Sequence, residues 1–199
     1  MSQLKELLTE EMSGLLDAET QLTEALPKMA EAAHHPKLKE AFEKHLIQTQ
    51  GHVERLREAF QALGEEPESE PCKAMQGLIE EGQTIIQDGA EKEALAADLA
   101  LIAAAQKIEH YEIASYGTVR GLARQVGLYD CARLLSRTLG EEESADFLLT
   151  AISDPIVQQL ALDDMGAQVN LDKGELDKGE RRTPSSSARK TSKAQRGAA

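Results

Sequence analysis

The sequence predicts an all-α chain, an antiparallel four-helix bundle with an extra short helix between its second and third long helices. Three observations predict it. Of the 199 residues, 41% are hydrophobic but only 3% are aromatic, so the core must be aliphatic. Leu, Ala, Glu and Gln outnumber Val, Ile, Phe and Tyr, which favours helix over sheet. Along four long segments, apolar residues recur at alternating steps of three and four, the pattern of a helix burying one face.

The same arithmetic excludes several classes. A β-sandwich and a disulfide-knotted module do not fit this composition. The formal charge of −13 argues against a chain that coats DNA or anionic membrane along its whole length. The apolar run from Leu99 to Gln106 is too short to span a bilayer. The N-terminal stretch MSQLKELLTEEM carries no apolar leader pattern. Cys72 and Cys131 read as free, buried thiols, and the setting expected for the chain is cytoplasmic and reducing.

Taken in order, the first segment covers about residues 3–33, with Ser2 as its N-cap. Pro27 inside it removes a backbone hydrogen bond, and a kink is expected there. His34-His35-Pro36 breaks the helix, and Pro36 suits the first turn of the next, about residues 37–63. An acidic loop with two prolines follows, from Gly64 to Pro71, then a short helix at about 72–87. The third long segment covers about 91–126 and the fourth about 129–153, ended by Asp154-Pro155. A last amphipathic piece closes the expected folded domain, residues 1–166. Residues 167–199 are expected to be a disordered tail, basic from 181. Residues 181–199 carry six Lys and Arg and no acid, leaving −19 on residues 1–180. The tail is read either as a solvated terminus or as an electrostatic arm for nucleic acid, a membrane surface or an acidic partner.

The four seams are each interrupted near mid-helix. Glu19 stands between Leu15 and Leu22. Thr49 stands between Leu46 and Val53, with His45 and His52 a helical turn to either side. Glu109 and Glu112 interrupt the third seam. Glu142 interrupts the fourth, with Asp146 four residues on. In an antiparallel bundle the midpoints share one level, so these positions converge. The spacing repeats, 33 residues from Glu19 to His52 and 33 from Glu109 to Glu142. A lone Glu on a long helix normally faces water. Several on buried seams at one level repel one another unless a cation joins them. Carboxylates and imidazole from four facing helices are the ligand set of di-iron and di-manganese bundles. His45 reads as an ordinary flanking residue, His34 and His35 as turn residues, and Tyr116 as core.

Four stretches carry a resemblance: Asp17–Leu22 (DAETQL), Gly51–Leu56 (GHVERL), Cys72–Leu78 (CKAMQGL) and Ala103–Thr118 (AAAQKIEHYEIASYGT). Over residues 3–153 the chain resembles the bacterial YciE/YciF stress-protein family. The resemblance implies a ferritin-like, rubrerythrin-like bundle, a homodimer, and a di-iron centre, with manganese or zinc as alternative metals. It implies metal ligands Glu19, His52, Glu109, Glu112, Glu142 and Asp146, the last standing where rubrerythrin-like proteins place His. The chain departs from the pattern at Thr49, where the second helix would carry Glu. The activity implied is a ferroxidase-like or peroxidase-like oxidation of Fe(II). The alternatives are a non-enzymatic stress-associated dimer with weak metal binding, or a module that binds nucleic acid or a surface through the tail.

Overall fold

In the computed structural model, residues 2–180 are described, with side chains described as far as residue 166; the basic segment 181–199 lies outside the described residues. Five helices follow one another: α1 (Gln3–Ala32), α2 (Pro36–Leu63), α3 (Lys73–Gly89), α4 (Ala94–Gln125) and α5 (Tyr129–Glu180). There is no strand among the described residues, and no described helix is long and apolar enough to cross a membrane. Residues 1–160 form one compact unit; a second, from Ala161, is helical through Glu180.

The local signals act where the sequence placed them. Ser2 caps α1, its hydroxyl accepting from the Lys5 N–H. Pro36 opens α2, and Gly64 ends it in the left-handed region at φ 79°. The turn at residues 33–35 is fixed by Asp98, fully buried, whose carboxylate accepts from the backbone N–H of His34 and His35 at 2.9 and 2.7 Å. Gly127, also at φ 79°, turns α4 into α5. Short connections of this kind bring consecutive helices back antiparallel. The start of α3 is pinned to α1: Asp17 accepts from the Cys72 N–H at 2.7 Å, and Gln21 donates to the Cys72 carbonyl.

Both prolines expected to distort or end a helix lie inside one. α1 runs unbroken through Pro27, and α5 through Pro155. In each case apolar residues beyond the proline are buried, Met29 and Ala30 in α1 and Ile156 in α5. Burial of about 1.5–3 kcal/mol per large apolar side chain offsets the ~3 kcal/mol cost of an interior proline. The sequence end for the fourth helix at Asp154 is corrected accordingly.

The core is two aliphatic clusters with a polar layer between them. One holds Leu22, Leu26, Leu38, Phe42, Ile102, Ile108, Leu149 and Ile152. The other holds Leu8, Met12, Leu15, Val53, Phe60, Tyr116, Leu135 and Leu139. Each long helix passes from one cluster to the other. The residues at the crossing are Glu19 on α1, His45, Thr49 and His52 on α2, Glu109 and Glu112 on α4, and Glu142 on α5, all buried.

Candidate metal centre

Helix geometry turns these polar residues inward regardless of their charge. Glu19 lies four residues after Leu15 and three before Leu22, so it shares their face. Glu109 and Glu112 are three apart on α4 and adjoin in space. Glu142 follows Leu135 and Leu139 on the same stripe of α5. Aliphatic packing above and below closes most of the layer off from water: Glu19, Glu112, Glu142, His52 and Thr49 are 0% exposed.

Two donor groups form. His45, Glu109, Glu112 and Glu142 can each place a ligand atom within 4.8 Å of the others, and so can Glu19, His52 and Glu142. Glu142 belongs to both. Its Oε1 lies 2.7 Å from His52 Nδ1, and its Oε2 lies 3.5 Å from His45 Nε2. His52 Nδ1 is also 3.3 Å from Glu19 Oε1, and His45 Nε2 is 3.4 Å from Glu109 Oε1.

Most of these atoms are unpartnered. Apart from the contacts within the two groups, Glu19 Oε2, Glu109 Oε2, both oxygens of Glu112 and Glu142, both nitrogens of His45 and Nδ1 of His52 make no hydrogen bond. Buried polar atoms are normally paired, because leaving one bare costs about 1–3 kcal/mol. This donor set, oxygen-rich with one imidazole per group, fits divalent transition metals.

The electrostatics agree. Burial pushes Glu109 and Glu112 well above the usual carboxylate range, and the charges of Glu142 and Glu19 add to it. Burial also raises Glu19, although contact with His52 pulls it down. Burial lowers His45, so its ring is held neutral. For His52 burial works against the charged form, but Glu142 and Glu19 outweigh it and push the ring up to about 10.

A second ring of contacts holds the Glu19–His52 side. Tyr116 donates its hydroxyl to Glu19 Oε1 at 2.5 Å. On the far side of the imidazole, His52 Nε2 lies 3.0 Å from Glu141 Oε2. Burial would raise Glu141, but Arg55 and His52 hold it below the usual carboxylate range. An ionised carboxylate only accepts, so Nε2 carries the proton and Nδ1 faces the donor group. Arg55, itself buried, pairs with Glu141 and donates to Thr138 at 3.0 Å.

Of the six ligands expected from sequence, five converge: Glu19, His52, Glu109, Glu112 and Glu142. Asp146 is the one corrected. Its Oδ1 accepts from Gln106 Nε2 at 3.0 Å and faces the exposed His110 at 3.5 Å. Four residues advance a helix by one turn and about 40°, which carries Asp146 off the bundle axis toward α4. His45, read from sequence as a bystander, takes a place in the cluster instead. It stands seven residues before His52, almost two full turns, and that spacing was the available signal. Tyr116 is in the core as expected and is also hydrogen-bonded to Glu19. Arg55 and Glu141 carried no signal, since Glu141 sits in the acidic run Glu141-Glu142-Glu143 without periodicity to single it out. Thr49 stands among the donors, its Oγ1 unpartnered. Cys72 and Cys131 are both free and buried, as expected.

A family model described as "Domain of unknown function (DUF892)" matches residues 3–162. The chain belongs to that family. Protein YciF of Escherichia coli strain K12 is 42% identical over 154 residues, covering 77% of this chain and 92% of YciF. The crystal structure of that E. coli stress protein superposes with a TM-score of 0.76 at 41% identity, covering 79% of this chain and 99% of the other. YcfI from Rhodopseudomonas palustris gives 0.70 at 37% identity, covering 75% and 94%. A Dps protein from Bacillus brevis, 14% identical, gives 0.57 over 76% of this chain and 98% of its own, a likeness of fold alone. The DUF892 chain is thus of the YciF type with a ferritin-like fold, and the expected fold class holds.

Proposed function

We propose that the chain is a metal-binding stress-response protein whose buried layer holds two divalent ions, iron foremost, with manganese or zinc as alternatives, and that it oxidises Fe(II) with oxygen or peroxide. The observation that carries this is the sharing of Glu142 between two groups of otherwise unpartnered, buried ligand atoms. Bound iron would supply one electron per ion, so that peroxide takes up two electrons and two protons and leaves as two waters.

The chain's own part is in binding, orientation and exclusion of water. Glu142 would join the two sites. His45 and His52 would each complete one of them. The Arg55–Glu141 pair fixes which nitrogen His52 offers, and Tyr116 fixes the rotamer of Glu19. The two aliphatic clusters keep bulk water away. A homodimer acting in the cytoplasm is part of the same reading and rests on the family resemblance.

One observation favours a second reading, in which metal is bound weakly and without turnover. α2 contributes Thr49 where a fifth carboxylate is expected, so the donor set is one anion short. Anaerobic Fe(II) titration followed by oxygen or peroxide separates the two. The proposed function predicts stoichiometric binding and an absorption change that Glu109→Ala abolishes. No stoichiometric binding, or a change that survives Glu109→Ala, contradicts it. Binding that raises the melting temperature without turnover selects the second reading.

A further inference from the structure

The bundle wall between α2 and α5 is not closed over the cluster. A pocket of about 70 Å³ opens there. Its floor is His45 and Glu109, only 5% and 4% exposed and both members of the larger donor group. Lys44, Gln48 and Ser144 line it on the polar side, and Leu148 on the apolar side. His45 turns its Nε2 toward Glu109 and Glu142, and its Nδ1 has no hydrogen-bond partner. The pocket therefore runs from the surface to the side chains of two members of the donor group, with the His45 nitrogens buried just behind its lining.

Three features set what the pocket takes. A water needs roughly 10–15 Å³ of such space, so the volume admits about five water-sized groups. Lys44, exposed on the lining, opposes a divalent cation. The Gln48 amide and the Ser144 hydroxyl offer hydrogen bonds to a neutral guest.

We propose that this pocket is the port by which neutral, hydrogen-bonding molecules of a few heavy atoms, hydrogen peroxide among them, reach the cluster, and that its rim screens out bulkier ones. What the guest does on arrival rests on the proposed function. The port itself is a property of the metal-free chain.

The first test uses the metal-free full chain and reads deuterium exchange at the imidazole C2 position of each histidine by mass spectrometry. His45 is expected to exchange measurably in the folded chain. Ser144→Trp, which plugs the rim from α5, slows His45 roughly tenfold and leaves the exposed His34 and His110 unchanged. Gln48→Trp plugs it from α2 and serves if the first variant does not fold. A His45 rate that neither folded variant moves overturns the port.

The second test uses Fe(II)-loaded protein and two oxidants. Hydrogen peroxide is expected to react roughly tenfold or more faster than tert-butyl hydroperoxide. Leu148→Ala narrows that ratio, and the plugging variants slow hydrogen peroxide while the ion count per chain is unchanged. Equal rates for the two peroxides contradict the port. A chain that takes up no iron contradicts the proposed function and leaves the exchange test standing.

Discussion

Glu19 and His52 are sealed from solvent, and each is gripped from behind, Glu19 by Tyr116 and His52 by the Glu141–Arg55 pair. His45 and Glu109, on the other side of Glu142, line a pocket. One half of the cluster is held and the other is reached. The Tyr116 ring packs against His52 on the held side, whereas on the other side the pocket at His45 is lined in part by small residues, Ala41, Ser144 and Ala145.

The comparison is broken most severely at the shared residue. Glu142→Gln removes the charge common to both donor groups, and both ions are expected to be lost, read by metal analysis after anaerobic equilibration. Retention of either ion at full affinity would mean that the groups do not share Glu142.

Glu141→Gln acts on the held half alone. It weakens the carboxylate contact that orients His52, and loss of such support costs about 10–100-fold in metal affinity. The His52-side ion is expected to weaken by that factor while the His45-side ion is unchanged. Equal weakening of both would deny the asymmetry.

The pH dependence sharpens the picture without a mutation. Glu109 and Glu112 have raised folded-state pKa values, so their contribution to the stability of the metal-free chain is full below the ordinary carboxylate range and is lost as pH rises. His52 contributes fully below its ordinary 6.5, and that contribution is lost as pH rises through about 10. Metal takes the place of these protons. The rise in Tm on adding metal should therefore grow between about pH 5.5 and 8. A gain that is flat or falls with pH would place the ion elsewhere.

The smallest effect is at Thr49. Its buried hydroxyl has no partner, so Thr49→Val is expected to stabilise the metal-free chain by about 1 kcal/mol, or ~2–4 °C in Tm. Metal stoichiometry should not move. A lost ion would make Thr49 a ligand.

The bundle was legible because long aliphatic seams at steps of three and four leave few alternatives, and the polar layer was legible because a carboxylate on such a seam has nowhere else to point. What failed did so through angle. Asp146 and His45 were separated from their places in the structure by a few tens of degrees of helical phase, which a seam read from one helix at a time does not resolve. Pro155 misled because burial of Ile156 beyond it outweighed a local breaker. Arg55 and Glu141 were invisible because their roles come from a contact between α2 and α5, 86 residues apart in sequence, and nothing local marks them.

Anomalous diffraction from crystals of the full chain loaded with Mn(II) tests the central claim most directly. Two peaks are expected, each about 2 Å from a different oxygen of Glu142, one beside His52 Nδ1 and one beside His45 Nε2. A single peak away from Glu142, or one held by Asp146 and His110, would contradict the account.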